Sequence, residues 1–218
     1  QANQNNLADA DVSERGVLDE QNWIFNDAYH QLDPANHARF NNVYADTQDQ
    51  INAITQNLAN NKIDKMTAIQ QLADVQATAN NSLTSVINDY LQIAVDYAAA
   101  HPQHDLTAVI ETMEYLAAHP NAINAMTDAG VDNLFEAAKL AGLSDTQAYI
   151  FTGLDNDMLT TILGAATATR LAQRVMNSTG KGAHNSTSAV RQENQEIADM
   201  FDKRKNPTAG EEEKGRNK

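Results

Sequence analysis

The side chains best suited to chemistry are six histidines and twenty-nine carboxylates, because the chain has no cysteine. Without cysteine there is no thiolate nucleophile, no thiolate zinc ligand and no disulfide framework, and the redox character of the compartment stays open. His101, His104 and His119 fall close together, and with Asp105 or Glu111 they would offer the nitrogen and oxygen ligands that zinc accepts. The spacing argues otherwise. Pro102 keeps the first two from sharing a helical face, and no His-Glu-x-x-His signature occurs. A histidine at the end of a helix is explained by its interaction with the last carbonyls and the dipole.

Glu111 with Glu114, or Asp155 with Asp157, would divide acid and base duties only if an apolar pocket raised one of the two pKa values. In a chain this acidic, most carboxylates solvate the surface. Ser178-Thr179-Gly180-Lys181-Gly182 imitates a phosphate loop, but the first glycine of such a loop is replaced by Val175 and its Ser or Thr by Gly182. There is no Gly-x-Ser-x-Gly elbow and no dinucleotide fingerprint after an expected strand. The sequence therefore assigns no catalytic, cofactor-binding or metal-binding residue.

The elements that would position any site are helices. No glycine stands between Gly16 and Gly130, and only Pro34, Pro102 and Pro120 interrupt that interval. The expected fold is all-α: a long antiparallel helical hairpin, a compact bundle of shorter helices, a flexible N-terminal arm and a C-terminal tail. The arm is residues 1–16, polar and rich in Asn and Gln. The helical domain is 17–176, beginning with a short helix from about Leu18 to Leu32 that carries Trp23, Phe25 and Tyr29. Asp33-Pro34 is a cap followed by a first-turn proline. From there Phe40, Thr47, Ile51, Ile54 and Leu58 repeat at threes and fours. After a turn at Asn60-Asn61-Lys62, Asp64 caps a second long helix whose stripe runs from Met66 to Ala98. The hairpin thus spans about 34–100, and its apolar seams face each other or a partner.

The shorter helices occupy 105–176. Asp96-Tyr97-Ala98-Ala99-Ala100-His101-Pro102 is echoed by Glu114-Tyr115-Leu116-Ala117-Ala118-His119-Pro120, two helix ends closed by His-Pro. Gly130, Gly142 and Gly153 suit left-handed caps, and a helix opening at Asp155 or Asn156 carries Leu159, Ile162, Leu163, Ala166, Leu171 and Val175. Residues 177–186 read as a linker, 187–205 as an amphipathic helix and 206–218 as a disordered tail.

Charge divides the chain. Residues 1–160 carry five basic against twenty-two acidic side chains, a net of −17, while 161–218 carry ten against seven, a net of +3. The acidic body repels nucleic acid and anionic membranes, and the basic end suits an acidic protein surface. Within 187–205, Val190, Ile197, Met200 and Phe201 form one apolar face, followed by Lys203-Arg204-Lys205. A tethered amphipathic helix with a basic end is a groove-docking element, so these seven residues are the expected partner-binding set. No stretch is long and apolar enough for a membrane span, and the chain is read as soluble. It opens on Gln1, which leaves removal of an N-terminal piece by a signal peptidase or another protease open.

An acidic, cysteine-free helical body, a linker and a short amphipathic segment ending in Lys203-Arg204-Lys205 resemble the scaffolding and virion-internal proteins of tailed bacteriophages. The resemblance lies in property and layout. It implies a non-enzymatic assembly protein working through helix-mediated protein contacts as a homo-oligomer or larger assembly, in the host cytoplasm and the virion, without cofactors. Two alternatives stand beside it: a secreted or periplasmic helical binding protein with Tyr90, Tyr97 and Tyr115 near a ligand surface, and an enzyme using carboxylate and histidine acid-base chemistry.

Overall fold

The computed structural model describes residues 2–128 and 133–164, with side chains described for 12–127 and 133–164. The protein is all-α. Eight helices occur among the described residues: α1 Ala2–His30, α2 Pro34–Ala59, α3 Lys65–Ala100, α4 Thr107–Ala118, α5 Pro120–Asp128, α6 Leu134–Leu140, α7 Asp145–Thr152 and α8 Asn156–Gly164.

Local chemistry sets most boundaries. The Asp33 carboxylate accepts from Asn36 N at 2.8 Å ahead of Pro34, and the Asp64 carboxylate accepts from Thr67 N at 2.7 Å. Those contacts hold the Asp64 carboxyl below its ordinary value, with the Thr67 backbone N–H as the main cause. α2 stops where Asn61 turns left-handed at φ 55°, so that Lys62 N reaches Asn57 O at 2.9 Å and Asn61 N reaches Leu58 O at 3.1 Å. α6 stops in the same way at Gly142, with φ 102°. α7 opens on a reciprocal box in which Ser144 and Gln147 each bond the other's backbone N–H.

α2 and α3 form the expected pair. Arg39 bonds Asp89 at 2.6 Å near one end, while Ile51 and Ile54 share a cluster with Leu72 and Val75 further along, so the two helices of the hairpin run antiparallel. At 36 residues, α3 is about 54 Å long. The apolar interior falls into two parts. The larger is built around Phe25, Tyr29, Phe40, Tyr90, Val109, Met113, Phe151 and Ile162, and draws on every described helix. The smaller takes Ile51, Ile54, Ala68, Leu72 and Val75 from α2 and α3 alone, and fills the end of the hairpin near the turn.

Two expectations need correction. The helix beginning near Leu18 in fact begins at Ala2, so residues 2–16, expected as an arm, belong to α1. That segment holds no proline, and extending a helix already nucleated by the packed stretch from Leu18 to Tyr29 costs far less than starting one. Gly153 is not left-handed, since its φ is −89°. It is glycine because a Cβ there would run into the Asn22 side chain of α1.

Gly153→Ala is therefore expected to destabilise by about 1–3 kcal/mol in urea unfolding, through steric conflict. Combining it with Asn22→Ala should cost less than the sum of the two single changes. Strict additivity would show that Asn22 does not set the limit at Gly153.

Candidate interaction surface

Of the residues singled out for acid-base or metal chemistry, His101, His119 and Asp155 are held in structural roles. His101 and His119 cap α3 and α4 in matching ways: each backbone N–H donates to the carbonyl of the tyrosine four residues earlier at 2.9 Å, and each ring Nδ1 lies against that same oxygen, at 3.1 and 2.9 Å. The imidazoles also stack on those tyrosines, with centroids 4.1 Å apart for Tyr97 and His101 and 4.2 Å for Tyr115 and His119. The sequence echo is thus one terminating device used twice. Among the described residues no three His, Asp or Glu side chains are grouped so as to hold a metal ion.

Asp155 divides its two oxygens between structural partners: one accepts from Asp157 N at 2.9 Å at the start of α8, and the other meets His30 Nε2 at 2.9 Å. Glu111 and Glu114 are exposed on α4. Of the three tyrosines suggested for a ligand surface, Tyr90 is fully buried, and the other two are stacked on their histidines. Residues 177–218, with the whole partner-binding set Val190, Ile197, Met200, Phe201, Lys203, Arg204 and Lys205, lie outside the described residues.

The polar features that sequence reasoning missed join distant helices. Gln21, buried on α1, accepts from Ala108 N at 2.9 Å and Val109 N at 3.4 Å, and so caps α4 from another helix. The Asp105 carboxylate accepts from Thr107 N at 2.9 Å and takes a weak 3.4 Å contact from Gln21 Nε2. Asn26 bridges the turn between α7 and α8, donating to Gly153 O and accepting from Asp155 N, both at 3.0 Å. Nothing local marks these residues, since their partners are more than eighty positions away.

Tyr29, Phe40 and Tyr90 meet where α1, α2 and α3 cross. Tyr90 sits edge-on to Phe40 at 5.0 Å and to Tyr29 at 5.9 Å, and His37 closes the Tyr29 ring at 4.6 Å. Both tyrosine hydroxyls are buried; that of Tyr29 has no hydrogen-bond partner, while the Thr161 side chain lies close enough to Tyr90 to act on its phenol. Burial pushes the Tyr29 phenol up to about 12, with Asp157 and Asp155 adding to the effect, and it raises Tyr90 as well.

An open surface remains on the hairpin. Beyond the Arg39–Asp89 bridge, α2 and α3 leave a groove of about 340 Å³. Ile54 and Val75 lie buried beneath it, Gln71 is half-buried, and Gln50, Ala53, Asp74 and Thr78 stand exposed around it. Asp46 and Asp49 stand exposed one turn away on α2, so the carboxylates around the groove share one sign. Its walls carry no lysine or arginine. The groove can seat two or three apolar side chains of a helix and attract a cation beside them. No protein-family model matches the chain, and neither does any curated protein or solved structure.

The tyrosine pair makes a pH-dependent prediction. A phenol raised in the folded state contributes stability that is complete below pH 10, the unfolded value, and is lost as pH climbs through about 12. Tyr29→Phe should be neutral or stabilising by up to about 1 kcal/mol at pH 7, because no hydrogen bond is lost. It should also flatten the alkaline decline in thermal unfolding. A loss well above 1 kcal/mol at neutral pH would mean that a partner holds the hydroxyl.

Proposed function

We propose that this chain is a non-enzymatic assembly protein that works through helix-mediated contacts with protein partners, in many copies, as scaffolding and internal proteins of tailed bacteriophages do. The observation that supports this reading is the hairpin groove. It has an apolar floor and an acidic edge, and it lies on the part of the hairpin whose small core comes from α2 and α3 alone. Such a projection, packed on itself, can engage a partner without unpacking the main core.

The chemistry of the described residues fits the same reading. His101 and His119 cap helices, Asp155 is committed to a helix start and to His30, and the buried tyrosines face one another. Residues 187–205, read from the sequence alone as amphipathic and closed by Lys203-Arg204-Lys205, offer a complementary element. No helix among the described residues is long and apolar enough to cross a membrane.

Deletion of residues 187–218 tests the reading. Sedimentation velocity across a dilution series should show the full chain self-associating and the truncated chain remaining a monomer, with the circular dichroism of the helical body unchanged. A full chain that stays monomeric throughout, or a truncated chain that associates equally well, would overturn it.

A further inference from the structure

We propose that His101 and His104 together hold a divalent transition-metal ion, with solvent completing its coordination. The site does not depend on the assembly reading.

The turn after α3 builds the pair. Helix α3 ends ahead of Pro102, and His104 N donates to His101 O at 2.9 Å, closing a four-residue turn with Pro102 at its second position. A turn of this kind keeps its first and fourth Cα atoms within about 7 Å. The proline that bars the two histidines from one helical face thus brings them together across a turn. Their ring centroids lie 6.3 Å apart. An ion about 2.0–2.1 Å from one nitrogen of each ring sets the centroids about 4.5–6.5 Å apart, so small side-chain rotations suffice.

Hydrogen bonding prepares one of the two ligands. His101 Nδ1 lies 3.1 Å from Tyr97 O. A carbonyl oxygen can only accept, so Nδ1 carries the proton and the neutral ring keeps its lone pair at Nε2. Metal-bound histidines are commonly oriented by a backbone carbonyl on the other ring nitrogen in this way. The Tyr97 ring, stacked on His101 at 4.1 Å, fixes the plane of that imidazole and lies 6.2 Å from the His104 ring. The His104 ring makes no hydrogen bond among the described residues, so its lone pair is not engaged. Both histidines are half-buried, and exposed Pro102 and Gln103 leave the turn open to solvent. Two imidazoles with water suit Cu²⁺, Ni²⁺ and Zn²⁺ over Mg²⁺ and Ca²⁺, which prefer oxygen ligands alone. The net charge of −17 over residues 1–160 draws cations to the body without choosing among them.

The second His-Pro turn is a built-in comparison. His119 Nδ1 lies 2.9 Å from Tyr115 O, Tyr115 stacks on that ring at 4.2 Å, and Ala122 N closes the turn on His119 O at 2.9 Å. The fourth position of this turn is alanine, so it offers one imidazole where the first offers two.

The full chain is titrated calorimetrically with Cu²⁺, Ni²⁺ and Zn²⁺ in a non-coordinating buffer, and paramagnetic resonance counts the nitrogens on its tightest Cu²⁺. Two imidazole nitrogens are expected, with Cu²⁺ bound more tightly than Ni²⁺ or Zn²⁺. Loss of an orienting partner alone typically costs about 10–100-fold in metal affinity, so His101→Ala and His104→Ala should each weaken the Cu²⁺ site at least about tenfold. His119→Ala should leave it unchanged. Circular dichroism checks the helicity of each variant, and His104→Ala separates ligand from fold because its ring holds no hydrogen bond. A wild-type chain that binds none of the three ions, or a His104→Ala variant that binds them as well, would overturn the proposal. Displacement of Cu²⁺ by excess Mg²⁺ would overturn it too, since that marks a carboxylate site.

Discussion

The structure depends on satisfying the backbone groups at the ends of its short helices. Each helix leaves four N–H groups at its start and four carbonyls at its end without internal partners. A bundle of seven- to twelve-residue helices therefore buries many such ends. A single buried orphan costs about 1–3 kcal/mol, comparable to a large core truncation. α1 meets this demand from a distance. Its Gln21 takes two N–H groups of α4, its Asn26 ties the end of α7 to the start of α8, and its Asn22 occupies the space that Gly153 leaves. The same helix buries Phe25 and Tyr29 in the main core, so apolar burial and polar satisfaction are fixed by one rigid element.

That arrangement separates two regions with different work. The main core is closed, crossed by α1, and holds two tyrosine hydroxyls that are tolerated because edge-on aromatic contacts of about 0.5–1.5 kcal/mol each surround them. The turn end of the hairpin lies outside that network. Its small cluster comes from two helices, and its outer face carries the groove with Asp46, Asp49 and Asp74 around it. Stability is thus concentrated where α1 passes, and the surface suited to binding lies where it does not.

Much of this was legible in the sequence wherever the cause is local. Asp33-Pro34, Asp64, Asn61 and the two His-Pro pairs each act within four residues of themselves, so their boundaries follow from residue type alone. The stripe from Phe40 to Leu58 and its match in α3 follow from helical period. What escaped is non-local. Gln21 and Asn26 look like ordinary surface amides, and only the fold brings Ala108 and Asp155 to them. Gly153 invited a left-handed reading because glycine commonly serves that purpose, whereas here it serves close approach. Residues 2–16 lack an apolar stripe, and they are helical as an extension of a packed helix rather than by their own pattern. The groove was invisible for a related reason, since it exists only in the pairing of α2 with α3.

Amide hydrogen exchange in Gln21→Met tests the role of α1 most directly, because methionine keeps the length of the buried side chain and removes only its polar atoms. Ala108 and Val109 N–H should lose protection by at least about tenfold relative to the wild type, with α6 and the α2–α3 pair unchanged. Unchanged protection at both amides would mean that the ends of the short helices are satisfied without α1, and would contradict the account.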